Sequence, residues 1–221
     1  MSKIPTTLEH RVLLPEGAQA STHPTVIMLH GRGADEEDLI GLARYYDPRL
    51  LVLSVRAPYP FEHGGGFTWY EVGAVGTPDP AMFRLSYDRL STFVDDALNA
   101  YPVDRSRVYL LGFSMGTVMA FALSLTRPEL FRGVIANSGY VPEGTHLSLR
   151  WRDLGNLACF IGHGREDPVI PIEFARRAKR LFEESNARLE YREYSMAHEI
   201  GEESLRDSAA FLGELLGKKP V

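Results

Sequence analysis

Short apolar runs alternate with longer amphipathic segments along almost the whole chain. Most of the short runs are apolar at successive positions, which is typical of strands buried on both faces of a parallel sheet. An early run, residues 8–17, ends in the turn signal Pro15 and Gly17 and predicts an opening strand that leads into a hairpin. The other predicted strands are residues 25–29, 50–55, 107–113, 133–139, 157–162 and 187–194.

Between these strands, apolar residues recur with the 3.6-residue period of helices that cover one face of a sheet. One helix is predicted to begin at Asp35, where neighbouring acids suit the positive end of the helix dipole. Strands that alternate with helices predict an α/β protein with a doubly wound, mostly parallel sheet and helices on both faces. We expect one domain over residues 1–221. Another predicted helix covers residues 84–101, and two more are predicted from the apolar stripes Phe174, Ala178, Leu181, Phe182 and Leu205, Ala209, Leu212, Leu216.

Two connections are longer than an α/β unit needs, residues 56–83 and residues 140–156. Each follows a strand end, which is where open α/β sheets bind ligands. We therefore expect both to border a site. Neither is long enough to form a large lid domain.

Composition narrows the class of protein. The chain has 221 residues, 44% of them hydrophobic and 24% charged, with a formal net charge of -5, so no basic surface for nucleic acid or anionic membrane is predicted. The amino terminus lacks the pattern of a secretory signal, and no apolar run approaches the roughly 20 residues of a membrane span. The single cysteine, Cys159, lies in an apolar run and is predicted to be buried. We therefore expect a cytoplasmic protein without stable membrane association.

A serine between two glycines follows one of the buried strands. Residues 112–116 read G-F-S-M-G, which matches the G-x-S-x-G pattern, with the strand before it and an apolar helix after it. In such a strand–turn–helix elbow a strained serine projects its hydroxyl, and a Cβ at either glycine would clash. Ser114 is the predicted nucleophile. A serine N-cap on an ordinary helix is the alternative.

A serine nucleophile needs a base and an orienting acid, which follow it along the chain in folds with this elbow. Of seven histidines, His198 follows the last predicted strand and precedes the last helix, so it is the predicted base. Asp167 and Glu166 end another strand before Pro168. Asp167, next to the proline, is the predicted acid, with Glu166 as a solvated neighbour and Asp153 as the distant alternative.

Two backbone N–H groups are expected to form an oxyanion hole. One belongs to Met115, directly after the serine, and the other to Arg32, in the segment L-H-G-R-G-A-D after the strand 25–29. This segment lacks the spacing and the lysine of a phosphate-binding loop, so nucleotide binding is not predicted. The Arg32 side chain is expected to pair with Asp35 or Glu36, with substrate contact as the alternative.

Four segments together resemble the carboxylesterase/phospholipase-type α/β-hydrolases, a family that includes the acyl-protein thioesterases. They are VIMLHGRGADEEDL, RVYLLGFSMGTVMAFALS, IGHGREDPVIP and SMAHEI, and the resemblance spans about residues 20–215. It implies the α/β-hydrolase fold, a triad of Ser114, Asp167 and His198, and oxyanion donors at Arg32 and Met115. The thioesterase branch usually has Gln and Leu where this chain has Met115 and Arg32.

The aromatic stretch F-T-W-Y-E-V resembles the family's stretch beside the acyl-binding groove. The resemblance implies that Phe67, Trp69, Tyr70 and Phe83 bind substrate, with aromatic packing under a long loop as the alternative. The predicted function is a serine carboxylesterase that uses water and no cofactor or metal to hydrolyse small to medium acyl esters. An acyl thioesterase or lysophospholipase of the same mechanism is the second hypothesis, and a non-catalytic ligand receptor the third. The protein is expected to be a monomer or homodimer.

Overall fold

Eleven strands and four α-helices occur in the computed structural model, which describes residues 6–15, 21–62 and 64–217. The strands are β1 (His10–Leu13), β2 (His23–Leu29), β3 (Leu51–Val55), β4 (Tyr59–Pro60), β5 (Phe67–Thr68), β6 (Val72–Ala74), β7 (Thr77–Pro78), β8 (Val103–Phe113), β9 (Gly133–Asn137), β10 (Ala158–Gly164) and β11 (Arg188–Tyr194). The helices are α1 (Pro80–Ala100), α2 (Met115–Thr126), α3 (Ile172–Glu183) and α4 (Glu202–Leu216). Short 3-10 helices cover Leu39–Tyr45, Pro128–Leu130 and Trp151–Asp153.

One seven-stranded sheet has the order β1-β3-β2-β8-β9-β10-β11. Every neighbouring pair in it is parallel except β1 and β3, which confirms the predicted doubly wound, mostly parallel sheet. The predicted hairpin is wrong, because β1 pairs with β3 and β2 lies on the other side of β3. The burial pattern gives the physical reason: all seven residues of β2 are buried, whereas β1 alternates and therefore suits the sheet edge. Gly17, a predicted turn residue, lies outside the described residues.

Helices cover both faces of the sheet, as predicted. Side chains alternate along β2, so that Ile27 and Leu29 join the core under α1, α2 and α3, while Val26 and Met28 join the core under α4. Helix α2 is apolar on all sides, and eleven of its residues are buried. It is therefore the central helix of the larger core. Within the described residues, no helix is long and apolar enough to cross a membrane.

Two helix starts differ from the prediction by four residues. The helix expected at Asp35 is a 3-10 helix that begins at Leu39, because the Asp35 carboxylate accepts a hydrogen bond from the Glu37 N–H and forms a turn. Helix α1 begins at Pro80, four residues before the expected start. Its N-cap is Asp79, which accepts hydrogen bonds from two backbone N–H groups of the first turn.

Candidate active site

Ser114 lies at the sharp turn between β8 and α2. Its backbone angles, φ 53° and ψ −120°, are sparsely populated by residues other than glycine. The turn is held by the hydrogen bond from the Ser114 N–H to the Asn137 carbonyl, at 2.9 Å. The neighbouring strand β9, which ends at Asn137, thus positions the strained serine.

The two flanking glycines allow the chain to approach itself closely. A Cβ at Gly112 would lie 2.5 Å from the Thr117 Cα atom, and one at Gly116 would overlap the Leu29 carbonyl. At both positions the added carbon would lie closer than van der Waals contact, so neither position has room for a side chain. This close approach brings the start of α2 against the end of β2.

Three side chains from separate loops meet at this turn. The His198 Nε2 atom is 2.8 Å from the Ser114 Oγ atom, and the His198 Nδ1 atom is 2.7 Å from the Asp167 Oδ2 atom. Asp167 follows β10 and His198 follows β11, two neighbouring parallel strands whose carboxyl ends lie at the same sheet edge. This arrangement allows His198 to accept the serine proton while the carboxylate holds the ring.

The Asp167 carboxylate is held from several sides in a buried position. Its Oδ1 atom accepts hydrogen bonds from the Val169 and Ile170 N–H groups, at 2.8 and 2.9 Å. Its Oδ2 atom is also 3.3 Å from the Nε2 atom of His163, whose ring is buried. The Nε2 atom of His163 lies 2.8 Å from the Ile170 carbonyl. Sequence reasoning treated His163 only as a neighbour of the acid, although its position near the end of β10, four residues before Asp167, was a signal.

The alternative acids lie elsewhere. Glu166 is exposed and accepts a hydrogen bond from the Ser195 hydroxyl at 2.9 Å. Asp153 is exposed in a short 3-10 helix and pairs with Arg150 at 2.9 Å. Neither carboxylate is placed against His198, so Asp167 alone of these three acids contacts the histidine.

The other described histidines have separate surroundings. His30 is buried with both ring nitrogens engaged: Nδ1 lies 2.6 Å from the Gly31 carbonyl, and Nε2 accepts a hydrogen bond from the Ala57 N–H at 3.0 Å. Burial lowers the pKa of His30. His10 contacts the Tyr101 hydroxyl at 2.6 Å. Within residues 6–15, 21–62 and 64–217, no group of three or more His, Cys, Asp or Glu side chains is arranged to hold a metal ion.

A cavity of about 310 Å³ opens beside Ser114 and His198. Arg32 and Met115, the expected oxyanion donors, line it together with the serine. Gly33, at φ 82°, adopts the left-handed conformation that lets the segment after β2 turn beside the cavity. Most of the remaining lining is apolar or aromatic: Phe61, Tyr70, Val72, Val75, Phe113, Tyr140, Val169 and Ile170.

Of the four aromatic residues expected to bind substrate, Tyr70 lines this cavity. The other three have different contacts. Trp69 is fully buried and donates a hydrogen bond to the His30 carbonyl at 2.9 Å, and Phe83 packs against Tyr70 at 5.2 Å between ring centroids. Phe67 lies under the Arg56 guanidinium, 4.5 Å from it.

Sequence reasoning missed several lining residues, among them Phe61 and Val75. They lie in the long connection 56–83, which the sequence marked as a functional loop. The loop itself was therefore a signal, but its individual contact residues depend on how it folds back over the sheet.

The comparisons with known proteins identify the family of this chain. A family model described as Phospholipase/Carboxylesterase matches residues 15–216, which is most of the chain. The chain belongs to the phospholipase/carboxylesterase family. It is accordingly a hydrolase, and the sheet order and helices described above are those of an α/β-hydrolase.

Three known proteins are between 24% and 29% identical to this chain over the aligned residues. The putative hydrolase MhqD of Bacillus subtilis is 29% identical over 163 residues, which are 73% of this chain and 78% of that protein. Acyl-protein thioesterase 1 of Saccharomyces cerevisiae is 26% identical over 218 residues, 87% of this chain and 92% of that protein. The crystal structure of a Bacillus cereus carboxylesterase has a TM-score of 0.83 at 24% identity and covers 94% of both chains, which shows the shared fold.

Proposed function

We propose that this family member is a serine carboxylesterase that hydrolyses small to medium acyl esters through an acyl-enzyme intermediate. The observation that carries the proposal is the hydrogen-bonded series Asp167–His198–Ser114 at the edge of an apolar cavity. Each contact lies within ordinary hydrogen-bond distance, and the nucleophile, base and orienting acid occupy the roles that acyl transfer requires.

In the first half of the reaction, the Ser114 Oγ atom attacks the ester carbonyl carbon while the His198 Nε2 atom takes the hydroxyl proton. The His198 Nδ1–H group donates to the Asp167 carboxylate, which fixes the tautomer and stabilises the imidazolium. The backbone N–H groups of Arg32 and Met115 donate to the oxyanion. The imidazolium then gives its proton to the leaving alcohol as the carbon–oxygen bond breaks.

In the second half, water replaces the alcohol. His198 takes a proton from the water, the resulting oxygen attacks the acyl carbonyl, and the proton returns to the Ser114 oxygen when the acid leaves. The same oxyanion donors serve both steps. No other reactant is required, because every proton removed by His198 is returned within the cycle.

The size and lining of the cavity are the reason for proposing small to medium acyl groups. Its volume of about 310 Å³ is at the lower end of the range of roughly 300–1,000 Å³ typical of small-molecule sites. The apolar lining suits an acyl chain, while Ser114 and His198 supply the polar groups at one end.

A thioesterase or lysophospholipase that uses the same groups is the second candidate. It is favoured by the similarity to proteins named acyl-protein thioesterase 1. The cytoplasmic location and the monomeric or homodimeric state remain predictions, as does the absence of a cofactor or metal from the reaction.

The proposal is tested with 4-nitrophenyl esters and matched thioesters of increasing acyl length, assayed on the wild type and on Ser114→Ala. Wild type should prefer short to medium oxygen esters, and Ser114→Ala should lose most of the rate, by about 10⁴-fold or more. Ser124→Ala is the matched control, since Ser124 is buried in the same helix α2 and its hydroxyl, within the described residues, bonds a backbone carbonyl alone. Full activity in Ser114→Ala would refute the proposal, and a steep preference for long-chain thioesters would favour the second candidate.

A further inference from the structure

Arg32, which carries a positive charge, lines the largely apolar cavity beside Ser114. Of the described residues that line the cavity beside Ser114, none is an aspartate or glutamate, and Arg32 carries the one fixed charge. The two tyrosines of the lining, Tyr70 and Tyr140, are neutral at physiological pH, and burial raises the pKa of each phenol further above its ordinary value near 10. The fixed charge that the described lining residues contribute to the cavity is therefore positive.

Among the described residues, the Arg32 guanidinium has a stacking partner but no acceptor within hydrogen-bond distance. It stacks over the Phe61 ring at 4.8 Å from the ring centroid, and Phe61 lines the same cavity. Its nearest charged neighbour, Glu71, is 3.7 Å away, beyond hydrogen-bond distance, and both side chains are partly exposed. The expected partners Asp35 and Glu36 are engaged elsewhere: Asp35 accepts from the Glu37 N–H, and Glu36 binds Arg56.

Unlike Arg32, two other arginines of the chain each bind a carboxylate within hydrogen-bond distance. Arg176 binds Glu193 through two nitrogens at 2.8 and 3.0 Å, and Arg177 binds Glu143 at 2.8 and 3.1 Å. Those two guanidinium groups use their fork geometry on a carboxylate of the protein itself. In the part of the chain that the structure describes, no carboxylate occupies the fork of Arg32.

We propose that the Arg32 guanidinium binds a carboxylate of the substrate, so that the preferred esters carry one negative charge. The inference rests on the proposed esterase function and adds the substrate class to it. The guanidinium offers two parallel N–H groups to a carboxylate, and stacking on Phe61 reduces the side-chain freedom that binding would otherwise remove. Glu71 competes for the same cation at longer range.

The test compares kcat/KM for pairs of esters that differ in charge and match in shape. One pair carries the charge on the acyl side, mono(4-nitrophenyl) adipate against 4-nitrophenyl 6-methylheptanoate. The other carries it on the alcohol side, 4-acetoxybenzoate against 4-isopropylphenyl acetate. The backbone N–H of Arg32 is itself a proposed oxyanion donor, so the quantity compared is the anionic-to-neutral ratio, in which effects common to both esters cancel.

In Arg32→Gln, the ratio for at least one pair should fall about tenfold or more, as expected for loss of a charge-assisted hydrogen bond. The pair that responds identifies the side of the ester that carries the carboxylate. Arg32→Lys should give an intermediate ratio, and Glu71→Gln should raise the ratio by removing the competing carboxylate. Arg152→Gln, an exposed residue outside this cavity, removes the same charge and should leave both ratios unchanged. Ratios in Arg32→Gln equal to those of the wild type for both pairs would overturn the proposal.

A binding measurement separates this inference from the esterase proposal. Calorimetric titration of Ser114→Ala with monomethyl adipate and with 4-acetoxybenzoate reports carboxylate binding without turnover. The affinity for at least one of the two should fall about tenfold when Arg32→Gln is added. Equal affinities for both ligands, with and without the arginine, would reject the carboxylate site whether or not the wild type hydrolyses esters.

Discussion

Gly116 approaches the Leu29 carbonyl so closely that a side-chain carbon at position 116 would overlap the carbonyl oxygen. This contact joins the first turn of α2 to the end of β2, the strand that leads into the segment containing Arg32. The serine at the start of α2 and the expected oxyanion donor after β2 therefore depend on one close approach of backbone to backbone. The absence of a side chain at residue 116 is part of the site's geometry.

Gly116→Ala should separate α2 from β2, because the Leu29 carbonyl is backbone and has little freedom to move. We expect a loss of about 3 kcal/mol in the free energy of unfolding, together with most of the esterase activity. Urea denaturation and ester hydrolysis measure the two effects. Gly213→Ala is the control: a Cβ there meets no atom within 4 Å, so this helical substitution should stabilise the protein by about 0.5–1 kcal/mol. Wild-type stability and rate in Gly116→Ala would contradict the packing argument.

Asp167→Asn should preserve the fold and lower kcat by about 10⁴-fold, because an amide in this position no longer selects the His198 tautomer that accepts the serine proton. The matched control is Glu166→Gln, one residue away, where the exposed carboxylate contacts only Ser195 among its described hydrogen-bond partners. We expect Glu166→Gln to keep nearly full activity. The opposite order of the two variants would transfer the role of the acid to Glu166.

Stability should fall as the pH drops below about 6.5, in part because of His30. Burial holds its pKa below the ordinary value, so the unfolded chain takes up more protons than the folded protein between pH 6.5 and that lowered pKa. The stabilisation is present in full above pH 6.5 and is lost as the pH falls toward the folded-state pKa. Protonation of the His30 Nε2 atom would also remove the acceptor for the Ala57 N–H.

His30→Gln keeps an acceptor near the Ala57 N–H and does not titrate. Urea denaturation at pH 7.5, 6.5 and 5.5 should therefore show a smaller acid-induced loss of stability in this variant than in the wild type. Identical pH profiles for the two proteins would mean that His30 does not contribute to the acid sensitivity.

Cys159, the single cysteine of the chain, should not react with thiol reagents in the folded protein. It is fully buried in β10, and burial raises the pKa of its thiol, so that little thiolate forms. A colorimetric disulfide reagent should detect no thiol in the native protein and one thiol per chain in denaturant. Inhibition of ester hydrolysis by iodoacetamide under native conditions would contradict this burial.

Local patterns in the sequence predict the parallel strands, the position of the elbow and the strand ends that carry Asp167 and His198. Most of these depend on an apolar run followed by glycine or proline, which is read from a few neighbouring residues, whereas β11 before His198 is a more polar and partly exposed strand. The partner of β1 is different: the alternation of β1 suits a sheet edge, but the strand with which it pairs depends on which strand of the folded sheet has a free edge. The α-helix expected at Asp35 is also wrong because of contacts that the local pattern does not show. The Asp35 carboxylate closes a turn with the Glu37 N–H, and the Glu36 carboxylate binds the distant Arg56.

The residues that line the cavity are harder to predict from the sequence than the triad residues are. Phe61 and Val169 reach it from segments more than 100 residues apart, and neither carries a chemical signature. His163 is similar: its contact with Asp167 depends on the path of the loop after β10. Candidate catalytic residues can be predicted from their positions after strand ends. The role of an apolar lining residue depends on how its loop folds.

Covalent labelling with a fluorophosphonate, followed by peptide mass mapping, tests the central claim most directly. An activated serine should form one adduct per chain, located on Ser114, and the rate of labelling should fall steeply in His198→Ala. An adduct at another residue, or labelling of Ser114 at the same rate without the histidine, would contradict the account.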